Sequence, residues 1–553
     1  MPAIPIIDLF AGPGGLGEGF CRERSVDFRI AVSIEKDSMA FETLRLRAAF
    51  RELQRAGSGA ATWASWDRII AETPWASTYE ELSACEDESI RAACVRAAKE
   101  ALNLELGPRA REVASAEIRK RLLSFTGSKQ LPRNAILIGG PPCQAYSIVG
   151  RARNKGKPGY SAAGDHRHFL YLEYLHVIAR FEPAIFVMEN VKGILTSKVQ
   201  EAVIFDSIMR DLKRPGRVLG GGAGAEYVLC SLSEPGSLFD ETSAGDFLLH
   251  AEDHGVPQAR HRVIILGIRK DVFDAAGFVR KLERTPAPSV WDVICDLPTL
   301  RPTLSYRGKG LSWLHALRAP MFDSAVRELR RDRHGAGPAV AERMLTTRQK
   351  LLERQTDPGH GNDRYQMPAA AQLKRPRALA DWYRDRASPL LANHESRSHM
   401  PSDLVRYMFV ASFGEVTDTS PRLQDFPRCL LPEHKNVDPD NVANSIFKDR
   451  FRVQLGKCHS MTVTSHIAKD GHAFIHPRAK QCRSLTVREA ARLQTFPDSY
   501  IFLGNRTSQY TQVGNAVPPY LARQIAGIVA DTLIRAGVVD VSRREEPRIA
   551  LAA

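Results

Sequence analysis

A cysteine acts as a nucleophile when its thiolate is reachable and held still, because a fixed attack geometry removes entropy from the barrier. Cys143 follows Gly139-Gly140-Pro141-Pro142, itself preceded by the apolar run Ala135-Ile136-Leu137-Ile138. A short apolar run stopped by Gly-Gly-Pro-Pro predicts a buried strand ending in a stiff loop at the carboxyl edge of a sheet. The two prolines restrict the backbone around the thiol. For a lone cysteine, a buried structural thiol is the competing reading.

Three more side chains have the right chemistry to join it. Glu189 closes the run Pro183-Ala184-Ile185-Phe186-Val187-Met188; a carboxylate there must meet solvent or a ligand, since burying it unpaired is costly. Arg260 and Arg262 precede Val263-Ile264-Ile265-Leu266-Gly267 and alternate with small or polar residues. On a strand both would point to one face. An edge-strand charge pair is the plainer alternative.

A second set belongs to a bound cofactor. Pro5-Ile6-Ile7-Asp8-Leu9-Phe10 runs into Ala11-Gly12-Pro13-Gly14-Gly15-Leu16-Gly17, and Gly12, Gly14 and Gly17 fit G-x-G-x-x-G. That pattern lets a backbone pass close to a ligand at a strand-to-helix turn. A second strand, Arg29 to Ile34, ends at Glu35, where an acid can accept hydrogen bonds from ribose hydroxyls. Both features would serve a nicotinamide dehydrogenase as well as an adenosylmethionine site.

The elements that must position these groups follow from the pattern around them. Residues 39–133 are rich in alanine, arginine and glutamate, with helical spacing from Ala110 to Phe125 and a break at Gly57-Ser58-Gly59, which predicts an inserted helical segment. Gly150 to Lys157 is a basic loop beside the nucleophile, suited either to phosphate contacts or to plain solvation. A helix is expected over Asp165 to Arg180, with Leu170, Leu172, Leu175 and Ile178 on its apolar face. From about Thr285 to Pro477 the pattern turns irregular, with basic clusters at Arg327–Arg333 and Lys374–Arg377, and predicts a second domain.

Within that region Asn393 to Pro401 invites a metal reading, but its spacing is not that of helical zinc ligands, so a loop is expected. Ser460 to Pro477 reads as a hydroxyl- and histidine-rich hairpin suited to phosphate or base contacts. The α/β pattern resumes at Arg483, where Thr486 and Glu489 have capping-box spacing for a helix to about Gln494. Gln512 to Pro519 precedes a final helix with Leu521, Ile525, Ile528 and Val529 on one face and Gly537 as its stop.

Taken in order, these blocks resemble the motifs of the cytosine-5 DNA methyltransferases. Pro142-Cys143, Glu189-Asn190-Val191 and Gln258-x-Arg260-x-Arg262 match the family's nucleophile and target-base blocks. Asp8-Leu9-Phe10-Ala11-Gly12-Pro13-Gly14-Gly15 looks like its S-adenosylmethionine loop, and the last two blocks return near Arg483 and Gln512. The resemblance covers Ile4 to Ile268 apart from the insert, together with Arg483 to Ile525.

It implies an α/β, Rossmann-like S-adenosylmethionine-dependent catalytic domain over residues 1–284, a small mixed target-recognition domain over 285–477, and a return to the catalytic domain over 478–553. Cys143, Glu189, Arg260 and Arg262 would be catalytic: Cys143 adding to C6 of a flipped cytosine, Glu189 at N3, Arg262 at O2 and Arg260 orienting. Phe10 would stack on adenine, the Gly12 loop would face the methionine moiety, and Glu35 would hold the ribose. Asp8, Pro13, Gly14, Gly15, Pro142, Leu170, Asn515 and Val517 complete the implied cofactor contacts, with a plain core leucine the alternative for Leu170. An acid for the adenine amino group is expected within the insert, at no assignable position. The chemistry needs no metal.

Composition fits. A formal charge of +14 over 553 residues favours a polyanionic partner, here double-stranded DNA. Nine cysteines without a Cys-x-x-Cys pair give neither a disulfide framework nor a zinc finger. No run approaches a membrane span of ~20 apolar residues, and the N-terminus lacks a secretory pattern, so a cytoplasmic, DNA-associated protein is expected. A monomer should suffice for an asymmetric reaction with one site, alongside a cognate restriction endonuclease acting on the same sequence. The same chemistry on tRNA is the near rival, disfavoured by the long basic region. A catalytically silent DNA-binding homologue is another, although none of the four catalytic residues is missing; an oxidoreductase would leave Cys143 unexplained.

Overall fold

The computed structural model describes residues 3–142, 170–196, 198–199, 202–218, 224–233, 243–305, 312–332, 335–353, 358–366, 376–386, 388, 390–433, 437–438, 441–442 and 450–540. Eight strands form its main sheet: β1 (Ile4–Leu9), β2 (Phe28–Glu35), β3 (Ala101–Asn103), β4 (Ile136–Gly139), β5 (Ile185–Val191), β6 (Tyr227–Cys230), β7 (Leu248–His250) and β8 (His261–Arg269). Their spatial order is β3-β2-β1-β4-β5-β8-β6, with β7 also paired to β8. The first five are mutually parallel, and β8 runs antiparallel to β5, β6 and β7. Parallel strands need crossover connections, which place helices on both faces and bury the strands completely. Accordingly β1 is buried along its whole length.

Alternate residues feed two cores. Ile4, Ile6, Ile136, Ile138 and Val187 pack with Leu16, Phe20, Leu521, Ile525 and Val529 from the helices Gly15–Cys21 and Pro519–Arg535. Ile7, Leu9, Leu137, Phe186 and Met188 face the helices Arg111–Thr126, Leu170–Phe181 and Ile204–Lys213. The last helix thus lies against the first, which brings the C-terminal blocks back to the glycine loop. It ends as its sequence indicates, with Gly537 at φ 67°.

The stretch expected to be a helical insert has two parts. Helices Ser38–Arg55, Ala60–Glu72, Thr78–Ala84 and Glu88–Ala97 share a core of Leu46, Phe50, Trp66, Ile70, Leu82 and Ile90, with the chain turning between the first two at the Gly57 break. Strand β3 and the helix Arg111–Thr126 belong instead to the main sheet and its cover. The first part also reaches the region from 285 to 477, where Trp75 Nε1 donates to Asp363 Oδ2 at 3.0 Å and Arg364 lies over the Trp75 ring.

The region from 285 to 477 is more regular than its sequence indicates. The helices Pro320–Arg330, Gly337–Glu353 and Pro401–Thr417 build a separate core around Leu404, Tyr407, Met408 and Phe409. Residues 393–395, at the start of the stretch expected as a loop, belong instead to the strand Leu390–Glu395, which is buried up to His394. His394 has both ring nitrogens engaged, by Thr486 Oγ1 at 3.1 Å and Pro298 O at 3.0 Å, and burial pushes its pKa down to about 4. It is a satisfied core histidine.

The hairpin expected over 460–477 is absent among the described residues: only isolated bridges join Gln258 to Ser460, Val453 to Ile475 and Ile475 to Ser484. Two of its hydroxyls are used internally, with Ser460 Oγ on Pro257 O and Thr462 Oγ1 on Ala259 O.

Candidate active site

The glycine loop leaves the end of β1 through Phe10, whose φ is 55°. Gly12 follows at φ 57° with nothing within 4 Å of where a Cβ would stand, so its backbone borders open space. Its N–H donates to Glu35 Oε2 at 2.8 Å, while Glu35 Oε1 accepts from the N–H groups of Lys36 at 2.9 Å and Asp37 at 2.8 Å. One carboxylate therefore ties the β1 turn to the β2 turn. Asp37 caps the following helix through Met39 and Ala40.

Gly15 begins the first helix where a Cβ would lie 2.2 Å from Val517 O, so only glycine lets the C-terminal block come this close. Pro13 O accepts from the Tyr500 hydroxyl. Phe10, Gly12, Pro13, Gly14, Gly15, Glu35 and Val517 are thus neighbours, and Asn515 is exposed at the end of the helix Arg506–Asn515.

Asp8 is placed differently from the loop residues. It is buried against Gly17, and neither carboxylate oxygen has a partner. Burial, reinforced by Glu100, holds its pKa well above the usual carboxylate range, against the pull of Arg51.

A second cluster, around Glu189, is assembled on β5. Glu189 Oε1 meets Arg262 Nε at 2.7 Å, and Arg262 Nη1 donates to His261 O at 2.8 Å. A Cβ on Gly140 would stand 2.8 Å from Glu189 Oε2, so the second glycine of the Gly-Gly-Pro-Pro loop gives this carboxylate its room. Asn190 Nδ2 donates to Pro141 O at 3.2 Å, and its Oδ1 accepts from Val191 N at 2.9 Å. The strand that carries Glu189 thereby holds the loop that leads to Cys143. Pro141 is buried and Pro142 half-buried; Cys143 and the basic loop 150–157 lie outside the described residues. Leu170 is half-buried at the start of its helix.

Arg260 does not share a strand face with Arg262, contrary to expectation. The strand β8 begins only at His261, because residues 258–259 pair with 460 instead, Ala259 N donating to Ser460 O at 2.8 Å. Arg260 is buried, with Nη1 on Val463 O at 2.9 Å and Nη2 on Gly514 O at 3.2 Å. Burial and the adjacent Arg262 push its pKa far down, Glu189 opposing.

Gln258 extends the same junction, donating to Leu493 O at 3.1 Å and Gln494 Oε1 at 3.0 Å and accepting from Val463 N at 2.7 Å. Asn103, on the short β3, donates to Glu35 O at 2.9 Å and Lys36 O at 3.1 Å, while Glu105 pairs with Lys36 at 3.2 Å. Sequence spacing marks neither Asn103 nor Glu105, and Asn190 only by its place in the Glu189-Asn190-Val191 block. For the first two, the only signal was a three-residue strand.

A mainly parallel sheet with one antiparallel strand, a glycine loop after β1 and an acid closing β2 define the Rossmann-like, S-adenosylmethionine-dependent methyltransferase class. The family model for C-5 cytosine-specific DNA methylases matches residues 110–216 and 368–530. The chain is 31% identical over 533 residues to the type II methyltransferase M.Bpa9945I of Bacillus paralicheniformis, covering 96% of this chain and 99% of that protein. It is 25% identical to the type II methyltransferase M.AgeI of Thalassovita gelatinovora, covering 94% and 97%. With the DNA (cytosine-5-)-methyltransferase M.ApeKI of Aeropyrum pernix it shares 26% identity over 74% of this chain and 84% of that one. The chain belongs to the C-5 cytosine-specific DNA methylase family and is an S-adenosylmethionine-dependent DNA (cytosine-5-)-methyltransferase. No described helix is long and apolar enough to cross a membrane.

Proposed function

We propose that Cys143, Glu189 and Arg262 methylate a cytosine flipped out of duplex DNA, with Arg260 holding the frame they sit in. The observation that carries this reading is the Glu189–Arg262 pair beside Gly140, at the root of the loop that leads to Cys143. Cytosine C5 is too weak a nucleophile to react unaided, and C6 must first accept a thiolate. A free thiol has a pKa of about 8.5, so the site must favour its ionised form or take its proton during attack.

As C6 is attacked, negative charge develops toward N3, where the Glu189 carboxyl donates a hydrogen bond. Arg262, the ion-pair partner of Glu189, holds the cytosine O2. Once C5 has taken the methyl group and the sulfonium has left as a neutral thioether, loss of the C5 proton to water and of the Cys143 thiolate restores the aromatic ring.

S-adenosylmethionine supplies the electrophilic methyl group. The open space beside Gly12 and the Glu35 carboxylate fit it: Phe10 stacks on its adenine, the backbone from Gly12 to Gly15 faces its methionine part, and Glu35 takes the ribose. Pro142, Leu170, Asn515 and Val517 border it, while Asp8 supports the loop from beneath. Glu105 is the acid assigned to the adenine amino group, because it stands past β3 and pairs with the residue after Glu35.

Residues 1–284 with 478–553 hold cofactor and base, and 285–477 read the neighbouring base pairs, which a flipped-base reaction requires from outside the catalytic pocket. The relatives named as type II methyltransferases support a role in restriction-modification; we place the enzyme in the cytoplasm and on the nucleoid, as a monomer because a flipped-base reaction needs one active site, beside a nuclease of the same specificity.

Bisulfite sequencing of plasmid DNA from cells expressing the wild type and Cys143→Ala tests this. Protection of cytosines in one short sequence context by the wild type alone is expected. Equal protection by both proteins would remove Cys143 from the mechanism, and no protection by either would turn the search to tRNA.

A further inference from the structure

Beside the base pocket, on residues that the methyl-transfer chemistry does not use, β7 and β8 bring together His250, Glu252 and His261. One ligand atom from each lies within 4.8 Å of the others. His250 and His261 are direct partners across the antiparallel pair. Ala251 N donates to Arg260 O at 3.1 Å, so the His250/His261 pair is a non-hydrogen-bonded one, the kind whose side chains approach most closely. Their rings stack with centroids 4.0 Å apart and planes 11° from parallel. Glu252 sits on the 3-10 turn Ala251–Asp253 that leaves β7. Its Oε1 lies 2.7 Å from His261 Nε2, while its Oε2 is buried without a hydrogen-bond partner.

A histidine–carboxylate contact alone would leave that oxygen desolvated and unsatisfied, which is costly. Two imidazole nitrogens and one carboxylate oxygen also form a donor set that suits zinc, with water in the fourth position of a tetrahedron. Bonds of about 2 Å to each ligand require separations of about 3.3 Å between ligand atoms, which side-chain rotations of about an ångström would reach. All three residues are partly exposed, so an ion has a route in from solvent.

We propose that His250, Glu252 and His261 bind one zinc ion that cross-links β7, its turn and the first residue of β8. The ion plays no part in methyl transfer. It fixes the backbone between Arg260 and Arg262, since His261 stands between them and its carbonyl accepts the bond from Arg262 Nη1.

The test is calorimetric titration of the chelator-treated full-length protein with zinc chloride, beside Glu252→Gln and His250→Ala. Because the chain has nine cysteines that can also take zinc, the readout is the difference between proteins. The wild type should bind one equivalent that each folded variant loses or binds more than about 100-fold more weakly, beyond the usual cost of losing an outer-sphere partner. Cobalt bound at that equivalent should show visible bands without the ultraviolet charge-transfer band of thiolate ligands. Equal stoichiometry and affinity in the wild type and Glu252→Gln, or a cobalt spectrum dominated by thiolate, would overturn the site. Should His250→Ala fail to fold, Glu252→Gln decides alone.

Discussion

Beside the glycine loop the buried Glu18 carboxylate meets Arg47 Nε at 2.9 Å and Arg51 Nη1 at 3.4 Å; beside Glu189 the buried Arg260 guanidinium ends on the carbonyls of Val463 and Gly514. The first arrangement compensates charge with charge, between helices that adjoin in sequence. The second uses one cation to collect main-chain dipoles from segments some 200 and 250 residues away. The Glu18 bonds can form locally, between the helices Gly15–Cys21 and Ser38–Arg55, although Arg47 also reaches Ser499 Oγ at 3.1 Å. The Arg260 bonds exist only once the C-terminal blocks have returned, so their integrity reports on the whole fold.

Substitutions can separate the two cases. Glu18→Gln should have the largest effect on stability, about 3–5 kcal/mol, because it breaks a buried ion pair and leaves Arg47 only the more distant Asp385 carboxylate at 3.8 Å, while Arg51 keeps Glu100. Denaturant unfolding measures it. The same pair sets an acid limit. Burial alone would raise the Glu18 pKa, but Arg47 and Arg51 bring it from 4.5 down to about 2. Its contribution is therefore fully present above the unfolded value and is lost as pH falls from about 4.5 through 2. The Gln variant should show a flatter acid-unfolding curve in that window, and an unchanged curve would mean that the network is not compensated as described.

Arg260→Ala should cost about 3 kcal/mol, since two charge-assisted hydrogen bonds go and two buried carbonyls lose their donor. Its mark on the comparison is where the loss falls. Hydrogen exchange should rise around residues 463 and 514 while the β1–β2 turns stay protected. Exchange that rises equally in both lobes would contradict the division.

The smallest of the three effects is expected for Glu35→Ala, which removes the acceptor for Gly12, Lys36 and Asp37. Weakening of S-adenosylmethionine binding by about 10–100-fold is expected from the loss of charge-assisted hydrogen bonds, with little change in melting temperature. Isothermal titration measures it, and unchanged affinity would remove Glu35 from the cofactor site.

The same contrast explains what was legible in the sequence. The Gly12 turn, Glu35 at the end of its strand, the Thr486–Glu489 capping box and the apolar face of the last helix are set by neighbours within a few residues, and all four stand where their spacing puts them. Arg260 was read as a strand-face residue, because nothing nearby shows that 258–259 pair with 460 rather than extend β8. Strand β3 was missed for a related reason: three residues carry no period, and only pairing with β2 makes them a strand. The region from 285 to 477 has an irregular sequence pattern, although three helices of 11 or 17 residues run through it. Its Pro401–Thr417 helix is buried on nearly every side, and a helix without a polar face shows no amphipathic signal.

The central claim is that cytosine methylation depends on the Glu189 carboxyl held beside the Cys143 loop. Transfer of a labelled methyl group to duplex DNA by Glu189→Gln, at saturating S-adenosylmethionine, tests it most directly. A positioned proton donor is worth 10²–10⁴-fold, so a fall in rate of at least about 100-fold is predicted, with cofactor affinity unchanged. A rate within about tenfold of the wild type would fall below that range and would contradict the account.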